Sequence, residues 1–330
     1  MLLSVIIPYY NADTWIGKAL DSLLDQDLPQ SEYEIIVVDD GSTEDEKILK
    51  DYVSRFPNIH YYRIDHAGLS PARNYGLSKA SGQWLYLCDG DDDVQPQVLG
   101  RMIAVANDHG LQMLQARRIK CGETETIPNP RRNFDSLSEP MSGFAYLGAH
   151  PGPFSWGVWS YLVRRNVIVD NNLSFESVFY FEDALFMLRL LEVVDRVSFM
   201  DVDLYFYRQH ASSILHSKRR KDGSECNRVW FMFLDRLCAL MERPMMPEST
   251  LARLQYLRDK AVYPLLLHTF NYCPVKDTRR SISRLEALGA YPIKPVMIKK
   301  FPKYARIMNH KHLWVFLCWC SHLVPERFRA

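Results

Sequence analysis

Residues 84–96 read WLYLCDGDDDVQP. The first five residues, Trp84 to Cys88, make an apolar run of strand length, and Asp89, Asp91, Asp92 and Asp93 follow at once. Two like charges 4 Å apart repel by about 1 kcal/mol in water and about 4 kcal/mol in a partly desolvated cleft. A core strand ending in four carboxylates therefore needs something cationic among them, or a turn that holds them apart. Asp89 and Asp91 are two apart, so in extended chain their side chains share one face.

Upstream, apolar segments of strand length alternate with amphipathic segments of helix length. Residues 3–7 read as a strand, and residues 13–25 place Trp15, Ile16, Leu20, Leu23 and Leu24 at helical spacing. Residues 34–38 (EIIVV) form a second buried strand, ending in Asp39-Asp40-Gly41-Ser42. A helix over 44–55, a strand over 59–64, a helix over 69–79 and the strand at 84–88 continue the pattern. Near-continuously apolar strands alternating with helices predict an α/β fold, with a mostly parallel sheet covered on both faces. Pro96 is placed to open a helix over 97–109, residues 111–119 suggest a strand, and residues 121–140 a polar loop. Residues 182–194 predict an amphipathic helix and 197–207 one or two strands. Beyond about residue 215 the spacing is helical.

The chain has 330 residues, 47% apolar and 24% charged, enough for a sizeable core and for more than one subdomain, and its composition excludes a disordered or collagen-like chain. The net charge of +1 conceals a split: residues 291–330 hold eight Lys or Arg against Glu326 alone, leaving the preceding 290 residues at −6. Seven scattered cysteines match no zinc spacing and read as reduced thiols. The opening MLLSVIIPYYN lacks a basic flank and a small-residue cleavage site, so it reads as a first strand rather than a secretory leader. No apolar run reaches the roughly 18 residues of a spanning helix.

In open parallel sheets, ligands bind at the carboxyl ends of the strands. Three polar motifs fall there: Pro8-Tyr9-Tyr10-Asn11, Asp39-Asp40-Gly41-Ser42 and Asp89–Asp93. A divalent cation carrying an anionic ligand would make such a rim tolerable. The competing reading is an acidic surface turn in which Asp92 or Asp93 caps the helix at Pro96. Ser70 and Pro71 suggest a helix start with free N–H groups, and Arg73 in its first turn can meet a base or a phosphate.

In this order, SVIIPYYN (4–11), EIIVVDDGSTE (34–44), AGLSPARNYGLSKASG (67–82) and WLYLCDGDDDVQP (84–96) resemble the nucleotide-sugar domain of family 2 inverting glycosyltransferases, which have the glycosyltransferase-A fold. VWSYLVRRNVI (158–168), YFEDALF (180–186) and YFYRQHASSI (205–214) extend the resemblance to about residue 215. It implies a nucleotide pocket lined by Pro8, Tyr9 and Asn11. Asp39 or Asp40 would bond uracil or ribose, and Arg73 would touch the base or diphosphate. Asp89 and Asp91 match the family's DxD, with Asp91 the metal ligand and Asp89 facing ribose and metal; the extra Asp93 leaves the choice of ligand open. Glu182 and Asp183 match its Glu-Asp pair, with Asp183 as catalytic base. Arg208, His210 and Ser213 match a segment that closes over the diphosphate, with His210 also a possible metal contact. The implied cofactor is Mn²⁺ or Mg²⁺, the implied donor a UDP-sugar, and the implied acceptor a glycan or lipid-linked saccharide of a bacterial surface polysaccharide.

The chemistry expected is a single displacement at the anomeric carbon, with the metal stabilising the leaving diphosphate and a carboxylate deprotonating the acceptor hydroxyl. Asp183 opens a helix whose dipole favours its ionised form, though an Asp there is also a common cap. Trp156, Trp159 and Tyr161 suit either sugar stacking or the core. In the tail, KHLWVFLCWCSHLVPERFR (311–329) is apolar on all sides in its middle, too short to span and flanked by bases, which suggests a helix in the interface of an anionic membrane. The domains expected are 1–215, for nucleotide-sugar and acceptor, and 216–330, helical with an interfacial tail. Such a protein would be cytoplasmic and peripheral on the inner face of the membrane, with no nucleic-acid partner. Rival readings are a phosphotransferase or phosphatase using Asp89-x-Asp91, and a non-catalytic sugar-nucleotide binder. A nucleotidyltransferase lacks its glycine-rich basic loop, and a dinucleotide oxidoreductase its GxGxxG.

Overall fold

The computed structural model describes residues 1–122, 130–149, 154–179, 181–209, 223–294 and 302–322. The chain divides into two compact units, Met1–Ser213 and Ile214–Ala330.

The first unit begins with the expected alternation: β1 (Leu3–Tyr9), α1 (Asp13–Leu24), β2 (Tyr33–Asp39), α2 (Lys47–Arg55), β3 (Ile59–Arg63), α3 (Leu69–Lys79) and β4 (Trp84–Leu87). These four strands run parallel in the order β3-β2-β1-β4. Every residue of β1, β2 and β4 is buried, because helices cover both faces. Then come β5 (Asp93–Val94), α4 (Leu99–Asp108), β6 (Met113–Gly122), β7 (Arg132–Leu137), α5 (Gly143–Ala149), β8 (Tyr161–Arg164), α6 (Arg165–Asp170), α7 (Glu182–Val193) and β9 (Val197–Gln209). The sheet continues from β4 through β8, β6 and β9 to β5, with β7 on β9. β6 and β9 are parallel, while β8, β5 and β7 enter antiparallel.

Three local expectations are corrected. The segment 121–140 is not wholly loop, since it completes β6 and supplies β7. Residues 197–207 belong to one long strand, β9. Pro96 does not open α4: Gln97 takes a left-handed φ of 59° and the helix starts at Leu99. Its first N–H groups are satisfied from the segment after α1, by Gln26 Oε1 at Val98 and Leu99 and by the Asp27 carboxylate at Gly100 and Arg101. Asp13 serves the start of α2 in the same way, accepting from Ile48 and Leu49.

At the amino ends of the strands, buried Glu34 accepts bonds from Ser4 Oγ (2.6 Å), Ser81 Oγ (2.7 Å) and Ser81 N (2.8 Å). Burial by itself would raise its pKa, but these donors outweigh it and hold the carboxyl below its ordinary value.

The described part of the second unit is helical, as its spacing predicts: α8 (Gly223–Met241), α9 (Glu248–Tyr272), α10 (Val275–Ala287), α11 (Pro302–Asn309) and α12 (Lys311–His322). Leu234 and Leu237 of α8 and Leu254, Val262 and Leu265 of α9 are buried in its core.

Candidate active site

Parallel register brings the carboxyl ends of β1, β2 and β4 to one edge, with Tyr9 opposite Asp39 and Ile6 opposite Leu87. Asn11 joins the first two ends. Its φ of 47° is one that Asn tolerates, its N–H donates to Ser42 Oγ (2.9 Å), and its Oδ1 accepts from Thr43 N (2.8 Å) and Glu44 N (3.1 Å). Gly41, with φ of 73°, passes so close to His66 that a Cβ would stand 2.9 Å from its backbone nitrogen. Pro8 and Tyr9 are buried under this rim, and the Tyr9 hydroxyl has no hydrogen-bond partner among the described residues.

Asp39 is fully buried. It accepts from Ser42 N (2.8 Å), Tyr61 OH (2.9 Å) and Arg63 (2.7 Å), donors that outweigh burial and keep its carboxyl below the usual range. Asp40 accepts from Ala67 N (2.7 Å) and Gly68 N (2.8 Å), and His66 Nδ1 lies 2.9 Å from its carboxylate. That double acceptance sets the start of α3 at Leu69, with Gly68 at φ 101° before it, so Ser70 lies inside the first turn instead of capping it.

From α3, Arg73 reaches the centre of the site. Its side chain is 2% exposed, and its guanidinium meets Asp89 (2.8 Å), Asp183 (2.6 Å) and Glu182 (3.4 Å) while lying 5.2 Å over the Phe175 ring. Burial opposes the cation, but the three carboxylates outweigh it and raise its pKa. Three acids expected at the site thus converge on one buried cation. Asn74 fixes Phe175 by bonding both its N–H (2.8 Å) and its C=O (2.9 Å), and Phe175 stacks on Phe186 of α7 at 4.1 Å.

Asp183 is not a helix cap. The cap of α7 is Phe181, left-handed at φ 66° with no side-chain bond, and Asp183 in the first turn points to Arg73. Its ionised form is also less favoured than the helix dipole suggests. Burial pushes its pKa up to about 7; Arg73 pulls it down, and Glu182 and Asp89 add to the rise. Burial raises Glu182 too, against the pull of Arg73.

The acidic run divides in two. Asp92, 2% exposed, accepts from Tyr205 OH (2.6 Å) and Arg208 N (2.6 Å), and Asp93 pairs with the Arg208 guanidinium. Burial, with Asp91 and Asp89 beside it, pushes Asp92 up to about 8. These two acids anchor β9, and neither caps α4. Asp89 faces Arg73, and Asp91 is half-buried beside it in sequence. Among the described residues no group of three or more His, Cys, Asp and Glu could hold a metal ion. Two carboxylates nonetheless fit Mg²⁺ or Mn²⁺, which take one or two such ligands and complete their shell with phosphate oxygens and water. His210 and Ser213 lie outside the described residues. Arg208 is 9% exposed and turned to Asp93.

Residues 4–171, about half of the chain, match the family model described as glycosyl transferase family 2. The chain belongs to glycosyltransferase family 2. This family 2 enzyme is 34% identical over 217 residues to the uncharacterized glycosyltransferase EpsJ of Bacillus subtilis (strain 168), covering 64% of this chain and 62% of EpsJ. The match therefore spans less than two thirds of that relative's length. It is 26% identical over 214 residues to the poly(ribitol-phosphate) beta-N-acetylglucosaminyltransferase TarS of Staphylococcus aureus (strain MW2), covering 63% of this chain and 35% of TarS. The crystal structure of S. aureus TarS 1-349 in complex with UDP-GlcNAc aligns with a TM-score of 0.66 at 18% identity, over 98% of this chain and 92% of that one. The mannosyltransferase PcManGT from Pyrobaculum calidifontis, in complex with GDP-Man and Mn²⁺, aligns at 0.53 with 15% identity, over 97% and 86%. The likeness to TarS establishes the glycosyltransferase-A fold that the sequence leads one to expect. Family membership displaces the phosphotransferase reading.

The candidate site also holds residues to which the sequence assigned no role there. Tyr10 is 45% exposed on the rim and stacks on His66 at 4.5 Å. Tyr10 stands one residue past the end of β1, outside its fully buried run. Tyr205 donates to Asp92, accepts from Asp89 N (3.3 Å) and stacks on Trp159 at 4.6 Å, so Trp159, 6% exposed, is core. Tyr161 is core as well, its hydroxyl donating to Ser155 O.

Proposed function

We propose that this glycosyltransferase moves a sugar from a UDP donor to a hydroxyl of a glycan or lipid-linked acceptor, with inversion at the anomeric carbon, in the assembly of a surface polysaccharide. The observation that carries the reading is the convergence of Asp89, Glu182 and Asp183 on the buried guanidinium of Arg73 at the carboxyl ends of the strands. The relation to TarS and the family's DxD support a nucleotide-sugar donor.

In this reading the exposed Tyr10–His66 pair offers a face for the base, and Asp39 and Asp40 hold the loop beneath it. Asp91, with Asp89 beside it, would hold a divalent cation, Mn²⁺ or Mg²⁺, which supplies Lewis-acid stabilisation of the leaving diphosphate. Asp183 accepts the proton of the acceptor hydroxyl as the new glycosidic bond forms and the bond to the diphosphate breaks. A carboxyl held near 7 suits that role, since a base works best close to the ambient pH. Glu182 shares the Arg73 cation and keeps the first turn of α7 fixed. Arg73, buried among these three carboxylates, positions the acids of the site. Residues 1–215 would carry donor and acceptor. Residues 216–330 would bring the enzyme to the inner membrane face through the basic, apolar tail, although no helix among the described residues is long and apolar enough to cross a membrane.

The test is a donor screen that measures nucleotide release from UDP-, GDP- and dTDP-sugars with and without Mn²⁺. We expect turnover with a UDP-sugar only when the metal is present, and a loss in Asp91→Asn on the order of 100-fold, equivalent to the several kcal/mol that charge stabilisation supplies. Equal turnover by Asp91→Asn and wild type would overturn the metal assignment, and turnover of a GDP-sugar alone would overturn the donor.

A further inference from the structure

The helix α12 is apolar on two faces. Trp314, Val315 and Cys318 are buried, with Trp314 stacked on Phe270 of α9 at 4.7 Å and Cys318 Sγ 3.3 Å from Thr278 Oγ1 of α10. On another face, Leu313, Phe316 and Trp319 follow one another at three-residue spacing and are 43%, 55% and 51% exposed. Soluble surfaces rarely leave such a row uncovered, and rows of this kind mark a docking face. Twelve residues of helix reach about 18 Å, against about 30 Å for the hydrocarbon of a bilayer, so α12 can lie on a membrane but not cross it.

Beside this row is a pocket of about 420 Å³ formed by α9, α11 and α12, whose lining includes Tyr263, Leu267, Phe270, Met308, Trp314 and Leu317. Its size is that of a small-molecule site. Among the described residues its lining carries no charged side chain, so a charged group inside would lie unpaired by them. Trp314 is 5% exposed, and its Nε1–H has no hydrogen-bond partner among the described residues. An occupant suited to this lining is therefore apolar. The eight Lys and Arg against one acid in residues 291–330 select the charge of whatever surface brings it.

We propose that this pocket takes up one hydrocarbon chain of an anionic membrane lipid while the Leu313–Phe316–Trp319 row rests on the bilayer. The proposal builds on the interfacial reading of the tail and adds a discrete site to it. The basic tail draws the helix to anionic headgroups, the exposed row enters the headgroup region, and a chain passes between α9 and α12 to the Trp314 indole.

The test uses the full chain and two readouts. cis-Parinaric acid, a fluorescent unbranched fatty acid, in solution without vesicles, reports the pocket, and flotation on phosphatidylglycerol vesicles reports the surface. Leu317→Trp and Leu267→Trp fill the pocket from different helices, and circular dichroism verifies that each variant is folded. We expect saturable probe binding by the wild type, displaced by oleate, and weakened at least about tenfold in both filled variants, as expected when a buried chain of several methylenes is excluded. Flotation of the filled variants should match the wild type, whereas Phe316→Ser and Trp319→Ser should float less and still take the probe. Absent saturable binding, or equal binding by wild type and both filled variants, overturns the pocket. A wild type that takes the probe but does not float overturns the bilayer as the source of the chain. A Phe316-dependent dimer in sedimentation without flotation assigns the row to a second copy and overturns the proposal.

Discussion

The acidic rim of the sheet and the apolar row on α12 both hold what folding alone would not leave in place, and they hold it in opposite ways. In the rim, the surplus is charge, and the fold answers it internally. Asp89, Glu182 and Asp183 share Arg73, Asp93 takes Arg208, and Asp92 is pushed towards its neutral form. On α12 the surplus is apolar surface, and Phe316 and Trp319 face each other at 6.1 Å while remaining half exposed. Unpaired buried charge costs several kcal/mol per group, so it must be compensated before any ligand arrives. Exposed apolar surface is cheaper per residue and can wait for a partner. A polar site is therefore built in advance, and an apolar docking face is completed by what lands on it.

That contrast can be broken by experiment, beginning with the largest effect. Asp183→Asn should lower kcat by about 10²–10⁴, the range expected for removal of a general base, without altering flotation on phosphatidylglycerol vesicles. Nucleotide release and flotation measured on one preparation would check it; a parallel loss of both would mean that the two regions are not separable. Arg73→Met comes next. It leaves three carboxylates around an apolar side chain and should destabilise the fold by about 3–5 kcal/mol in urea denaturation, as for other broken buried ion pairs. A loss within the error of the measurement would show that the rim acids need no internal cation.

The smallest effect sharpens the comparison from the other end of the sheet. Ser4→Ala removes one donor to Glu34 and should cost about 1.5–3 kcal/mol at neutral pH, the worth of a bond to a charged group. The folded-state pKa of Glu34 is depressed, so its contribution is complete above the unfolded value near 4.3 and fades as pH falls through the folded one. The difference between variant and wild type should therefore shrink below about pH 4, measured by denaturation across a pH series. A difference that stays constant into acid would assign the loss to packing instead.

The first four strands were legible because both their faces are buried and their sequences are almost unbroken apolar runs. Asp89 and Asp183 were legible as chemistry because each polar motif directly abuts such a run or a strong helix. Their common partner was not. Arg73 reads as a contact for base or phosphate, and its separation of 110 positions from Asp183 gives no sign that the two meet at 2.6 Å. The fates of Asp91, Asp92 and Asp93 could not be separated either, because one residue of difference in a turn decides which carboxylate enters the core. Tyr205 and Arg208 of β9 make that selection. Tyr10 lay inside a legible motif, but only the end of the buried run at Tyr9 separates its exposed ring from its buried neighbour.

The chain by itself determined the alternating strands and helices, the edge at which the polar motifs gather, the family, and the apolar, basic character of the tail. These properties follow from periodicity and local composition, which act over a few residues. The tertiary structure alone decided which acids are spent on holding β9, that a buried arginine ties the two halves of the site together, and that α12 shows one apolar face to the core and another to solvent. Each of those depends on groups distant in sequence becoming neighbours, where burial and charge change a residue's energy by more than its local sequence can express.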